Sequence, residues 1–204
     1  IQQRYPLLVT ACKTVGSLQL RNRATIGGNI VNAAPCADSM PPLIIYDAEV
    51  ELRSARGTRR MPVSEFVVGG YRTLLEPDEL VVRFILPAPT QQPLINRYLQ
   101  LGRRNALNIT RQSLTGQFMV DKGVVRLCRL VDGALMAKPQ RLTEVEQALT
   151  GKALDAAAID YAAGVLHDKV EKAIGGRWSA PYKVPVFIDM FRQMLQEVMT
   201  EQKK

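Results

Sequence analysis

Arg21-Asn22-Arg23-Ala24-Thr25-Ile26-Gly27-Gly28-Asn29-Ile30, continued by Asn32-Ala33-Ala34-Pro35-Cys36-Ala37-Asp38-Ser39-Met40-Pro41, carries most of the chemical information in this chain. It lies within residues 16–42, where Gly16, Gly27, Gly28, Pro35, Pro41 and Pro42 interrupt any helical or strand period. A long loop of this kind inside a folded domain is usually functional. Gly27 and Gly28 lack Cβ atoms, so their main chain can approach a ligand closely and can adopt positive φ. Successive N–H groups in such a turn form a concave anion site, and Thr25 and Asn29 add side-chain donors beside it. By itself a Gly-Gly pair marks a bulge or tight corner more often than such a cradle. Asp38 lies on the same loop and can accept hydrogen bonds from ribose or ribityl hydroxyls, or cap the short helix that follows. Neither G-x-G-x-x-G nor G-x-x-x-x-G-K-[ST] occurs, which argues against a Rossmann or P-loop site.

Outward from this stretch the patterns are regular. Residues 2–14 predict a short helix with Leu7, Leu8 and Ala11 on one side, and Met40–Asp47 predicts another. Asp47–Arg53, Arg59–Val63 and Glu79–Leu86 read as strands, the last strongly apolar. Pro87-Ala88-Pro89-Thr90-Gln91-Gln92-Pro93 reads as a linker and places a boundary between a domain over 1–89 and another over 94–204. Leu94–Leu101, Gln112–Asp121 and Val124–Val131 follow as strands, the last two joined through Lys122-Gly123. Three helices then follow. Thr143 with Glu146 matches a capping box, Leu154–Ile174 ends at Gly175-Gly176, and Val186–Gln202 is amphipathic. The fold class is α+β.

Composition narrows the function. At 204 residues, 47% apolar and 23% charged, the chain is an ordinary globular sequence with no internal repeat. No apolar run has the length of a membrane helix. Cys12, Cys36 and Cys128 form neither a disulfide framework nor an iron–sulfur spacing, which fits a reducing, cytoplasmic setting. The single histidine, His167, leaves no room for a His-rich metal site, and we assign no catalytic or metal-binding residue. The net charge of +8 invites an anionic partner, but no aromatic platform or reader motif for nucleic acid accompanies it. Trp178 is expected to anchor the approach to the last helix or an interface.

The segment R-N-x-A-T-I-G-G-N-I-x-N-A-x-P-x-x-D-x-x-P resembles the second flavin-binding motif of the molybdenum hydroxylase flavoproteins, the FAD subunits or domains of the xanthine dehydrogenase and carbon monoxide dehydrogenase family. The similarity continues through Asp47–Leu52, Arg56–Arg60, Gly70-Tyr71-Arg72, Glu79-Leu80-Val81, Leu101–Ile109 and Arg177–Lys183. It implies the C-terminal part of a vanillyl-alcohol-oxidase-like (PCMH-type) FAD-binding domain, followed by a CO-dehydrogenase-flavoprotein-like C-terminal domain of three antiparallel strands and three helices. It implies that Thr25, Ile26, Gly27, Gly28 and Asn29 line the FAD, that Asp38 bonds it, and that Val15 and Leu80 or Val81 pack near its flavin or adenine. It also implies a molybdopterin-binding subunit and a [2Fe-2S] subunit as partners, with electrons passing to FAD and on to NAD or another acceptor. The chain begins at Ile1, and the family's first glycine-rich FAD loop is expected upstream of it. The competing expectation is a non-enzymatic scaffold of the same fold that has lost FAD.

Overall fold

Leu7, Leu8 and Ala11 are buried along one side of helix α1 (Pro6–Thr14), which starts on a proline whose missing N–H costs nothing in a first turn. This helix belongs to a computed structural model that describes residues 1–89, 92–104 and 107–202. Thr90 and Gln91 of the expected linker, Asn105 and Ala106 of the Leu101–Ile109 stretch, and the terminal Lys203 and Lys204 lie outside the described residues.

The 16–42 stretch is more regular than expected. It contains α2 (Leu18–Arg21) and α3 (Ile26–Asn32) before α4 (Met40–Ile45). Helix α3 forms despite its two glycines, each of which costs roughly 1 kcal/mol against alanine in a helix. Thr25 caps it, its Oγ1 accepting from Gly28 N at 2.9 Å, and Ile30 is wholly buried. Burying one such side chain is worth about 1.5–3 kcal/mol and offsets the glycines. Ala33 closes the helix in the left-handed region at φ 46°.

Strands β1 (Glu49–Ser54), β2 (Gly57–Pro62) and β5 (Leu80–Ile85) form an antiparallel sheet in the order β2-β1-β5. Val50 and Leu52 point into the core, and Ala48 is buried just before the strand, as the alternation predicts. The apolar β5 is not a core strand. It is an edge, and Leu80 is 74% exposed. The sequence reading also lacks three short elements between β2 and β5: helix α5 (Val63–Phe66) and the small hairpin of β3 (Val67–Gly69) and β4 (Arg72–Thr73). They are too short to carry a period.

The second sheet has the order β6-β7-β8, from Ile95–Leu101, Gln112–Asp121 and Val124–Gly133. Lys122 and Gly123 join the last two strands with φ of 49° and 77°, the double left-handed turn of a tight hairpin. Helices α6 (Thr143–Leu149), α7 (Ala156–Ile174) and α8 (Ala180–Glu201) cover one face. Phe118, Leu114, Phe187 and Phe191 lie in that core. Helix α4 lies against β7 and β8 from the other side, and Val131 belongs to the core built by α1, α3, α4 and β1. Strand β7 is therefore buried on both faces, which accounts for the internal positions of Ser113, Thr115 and Gln117. Gly133 permits the approach, since a Cβ there would stand 2.2 Å from Ser113 Oγ and 2.9 Å from Pro41 Cγ.

Two helix starts differ from expectation. The Thr143–Glu146 capping box does not form. Glu146 is buried and accepts from Leu130 N at 2.8 Å and from Arg141 Nε at 2.7 Å, so its carboxylate is committed to β8 and not to the helix end. Helix α8 begins at Ala180, ahead of the expected Val186, because Pro181 suits a first turn. Among the described residues no helix is long and apolar enough to cross a membrane.

Candidate functional site

The site gathers at the junction of α1, α3 and the loop between them. Val15, Thr25, Ile26 and Asn29 line one cleft of about 260 Å³, together with Cys12 and Ser39. The turn after α1 is held from inside by Arg21, whose Nη1 donates to Val15 O at 2.9 Å and to Gly16 O at 3.2 Å. Ser39 Oγ donates to Asn29 Oδ1 at 2.6 Å, which fixes the amide on the cleft wall. The β3–β4 hairpin supports the far side of the segment through Tyr71 N, which donates to Ala33 O at 2.8 Å.

Gly27 and Gly28 do not form the left-handed corner that a Gly-Gly pair suggests. Neither has positive φ, and both lie in the first turn of α3. A Cβ on Gly27 would meet only Thr25 Oγ1 at 3.8 Å and Val81 Cγ1 at 3.9 Å, which are ordinary contacts. A Cβ on Gly28 would meet Thr25 Oγ1 alone, at 3.2 Å. Backbone conformation therefore demands glycine at neither position, and internal packing does not demand it at Gly27. A bare helical first turn facing open space is a cradle that a side chain would fill, which fits a ligand pressed against main chain. Among the described residues, no acceptor within the chain takes the N–H of Ile26 or Gly27.

Of the two candidates on β5, Val81 lies on the face toward Gly27, while Leu80 points to solvent. Asp38 stands behind the cleft, not in its lining, and is 6% exposed. Its Oδ1 accepts from Tyr98 Oη at 3.0 Å and from Thr110 Oγ1 at 2.6 Å, and its Oδ2 accepts from Gln100 Nε2 at 3.2 Å. Burial pushes its carboxyl above the usual range, and the three donors only partly restore it. Asp38 therefore ties the flavin-type segment to β6 and to the approach of β7. It does not act as the helix cap considered from sequence, because Ser39 is the residue preceding α4.

Tyr98, Gln100 and Thr110 are the residues that sequence reasoning missed. Their signal was present: Tyr98 and Gln100 are polar at alternate positions of a strand, hence on one face. Burial, with the Asp38 charge second, pushes the Cys12 thiol up, and burial likewise raises Cys36. Both thiols are thus protonated at neutral pH and are poor nucleophiles. The arrangement offers a cleft of about 260 Å³ beside bare main chain, and its two cysteines are not activated nucleophiles.

Residues 1–89 match the family of the FAD binding domain in molybdopterin dehydrogenase, and residues 98–198 match the CO dehydrogenase flavoprotein C-terminal domain. The chain belongs to the FAD-binding flavoproteins of the molybdenum hydroxylase family. Among its relatives, the xanthine dehydrogenase FAD-binding subunit of Escherichia coli O157:H7 is 28% identical over 198 residues, covering 97% of this chain and 68% of the relative. The nicotinate dehydrogenase FAD-subunit of Eubacterium barkeri is 29% identical over 208 residues, covering 98% and 69%. A carbon monoxide dehydrogenase structure from Hydrogenophaga pseudoflava, lacking the Mo-pyranopterin moiety, superimposes with a TM-score of 0.84 at 30% identity, covering 94% of this chain and 66% of that one. The chain thus spans about two thirds of the length of the relatives it matches.

Proposed function

We propose that this chain carries FAD as the electron-transfer subunit of a xanthine-dehydrogenase-like molybdenum hydroxylase. In this reading 1–89 is part of the FAD-binding domain, 94–204 is the C-terminal flavoprotein domain, and the boundary lies in the proline-rich segment. Bound FAD supplies the redox chemistry, accepting electrons that originate at a molybdopterin centre and pass through [2Fe-2S] clusters, and delivering them to NAD or another acceptor. The protein's own residues bind and orient. The first turn of α3, Thr25 to Asn29, presents main chain to the cofactor, with Val15 and Val81 as apolar walls. Asp38, through Tyr98, Gln100 and Thr110, sets the position of that turn against the second sheet. The molybdopterin and iron–sulfur centres belong to partner subunits. A cytoplasmic setting is supported by the three free cysteines.

The observation that carries the reading is the pair of glycines in a capped helical turn, where a Cβ on Gly27 would make only ordinary contacts. The scaffold alternative draws support from Asp38, whose two oxygens are already taken by protein donors. Flavin content of the full-length subunit separates the two. Gly27→Ala should stabilise the flavin-free protein by about 0.5–1 kcal/mol through helix propensity and yet weaken FAD retention. Gly28→Val should abolish retention with the circular dichroism spectrum kept. Normal flavin absorption in both variants would refute the site, and flavin-free wild-type protein would favour the scaffold.

A further inference from the structure

The turn ahead of α8 and the first turn of α8 each carry an aromatic side chain that the fold leaves outside. Trp178 is 93% exposed and Tyr182 48% exposed. The segment that bears them is nonetheless pinned at both ends. Arg177 Nη1 donates to Leu135 O at 3.2 Å, and Lys183 Nζ donates to Ala134 O at 2.8 Å. Gln112 Nε2, at the start of β7, donates to Lys183 O at 3.1 Å. A fixed tryptophan in water keeps a large apolar area hydrated without folding benefit, and Trp, Tyr and Arg are the types that dominate protein interfaces.

The charge around them is uncompensated. Arg177 and Lys183 donate to neutral carbonyls, and among the described residues no ion pair uses Arg111, Arg177 or Lys183. Burial first, and then the nearby charges of Arg177 and Arg111, disfavour the proton on Lys183. The surface is therefore apolar at its centre and cationic at its rim, complementary to an acidic rim around an apolar centre. It also adjoins the flavin-type segment: Arg111 follows Thr110, which donates to Asp38, and Ile109 beside them is 71% exposed.

We propose that Trp178 and Tyr182, ringed by Arg111, Arg177 and Lys183, are the docking face for the iron–sulfur partner subunit, which meets them with acidic residues around an apolar contact. This rests on the function proposed above. The electron donor, and not the molybdopterin subunit, is the occupant because a donor must lie close to the flavin segment that Thr110 and Asp38 connect to this face.

The test co-expresses the full-length chain with the tagged iron–sulfur subunit and the molybdopterin subunit. Failure of the wild-type chain to co-purify would overturn the proposed function itself. With wild-type co-purification established, Trp178→Ala/Tyr182→Ala should weaken capture at least about tenfold, with FAD content and melting temperature unchanged. Arg111→Glu should weaken capture most at low salt. Undiminished capture of both variants would overturn the proposal. Trp178 is the chain's single tryptophan, so a 5-fluorotryptophan-labelled subunit gives one fluorine resonance from this face. It should shift on adding the iron–sulfur subunit. A shift with subunit concentration alone would instead mark a self-association face, and a shift only with the molybdopterin subunit would mark that partner. Either result would overturn the assignment.

Discussion

Replacing Asp38 by alanine tests the geometry of the site most directly. The carboxylate accepts from Tyr98 Oη, Thr110 Oγ1 and Gln100 Nε2, all from outside its own loop. Gln100 Nε2 also donates to Thr110 Oγ1 and keeps that bond in the variant. Two hydroxyl donors, on Tyr98 and Thr110, are then stranded in a buried setting. Each stranded donor costs about 1–3 kcal/mol, and removal of a desolvated charge returns part of that. The net expectation is a loss of roughly 2–4 kcal/mol, or some 4–16 °C in melting temperature for a chain of this size. Asp38→Asn keeps Oδ1 as acceptor for both hydroxyls and loses only the Gln100 contact, so it should cost less. The assay is urea and thermal unfolding of the flavin-stripped full-length protein, which isolates the structural role from cofactor binding. Unchanged stability in Asp38→Ala, or an equal cost for the two variants, would refute the idea that Asp38 binds the loop to the second sheet.

Other expectations follow from packing and charge. Gly133→Ala should destabilise by about 1–3 kcal/mol, since its Cβ would stand 2.2 Å from Ser113 Oγ and 2.9 Å from Pro41 Cγ; denaturant melts would show it, and a neutral result would mean α4 can lift from β8 freely. Burial pushes the Asp132 carboxyl up to about 7, although Met136 N and Gln140 N donate to it. A folded-state value above the unfolded one stabilises at low pH and loses that contribution as pH rises, here between about 4 and 7. Melting temperature should therefore fall less over that window in Asp132→Asn than in wild type. The Arg59 guanidinium, and then the Glu76 N–H, hold the Glu79 carboxyl down at about 2. Its contribution is complete above about 4.5 and is lost as pH falls toward 2. Glu79→Gln should flatten the acid limb of the stability profile, and parallel wild-type and variant curves would count against the pairing.

Much of the architecture could be read from local patterns. The alternation of Ala48, Val50 and Leu52, the Lys122-Gly123 turn and the Phe187–Val198 stripe each impose a period or a backbone conformation that neighbours in sequence suffice to specify. The bare main chain at Gly27 and Gly28 was legible for the same reason, because the lack of a Cβ is a property of the residue itself, whereas Thr25, expected as a side-chain donor, caps α3 by accepting from Gly28 N. Long-range packing supplied the rest. It decided that Gly27 and Gly28 are helical, because the burial of Ile30 outweighs their poor propensity. It left the apolar β5 at an edge, because among the described residues only β1 pairs with it. It turned Glu146 from a helix cap into a buried partner of Arg141 and the Leu130 N–H. Above all it brought Tyr98, Gln100 and Thr110, sixty residues and more along the chain, onto Asp38. A carboxylate's partners are chosen by whichever donors the folded chain delivers to it, and no spacing in the sequence encodes that delivery.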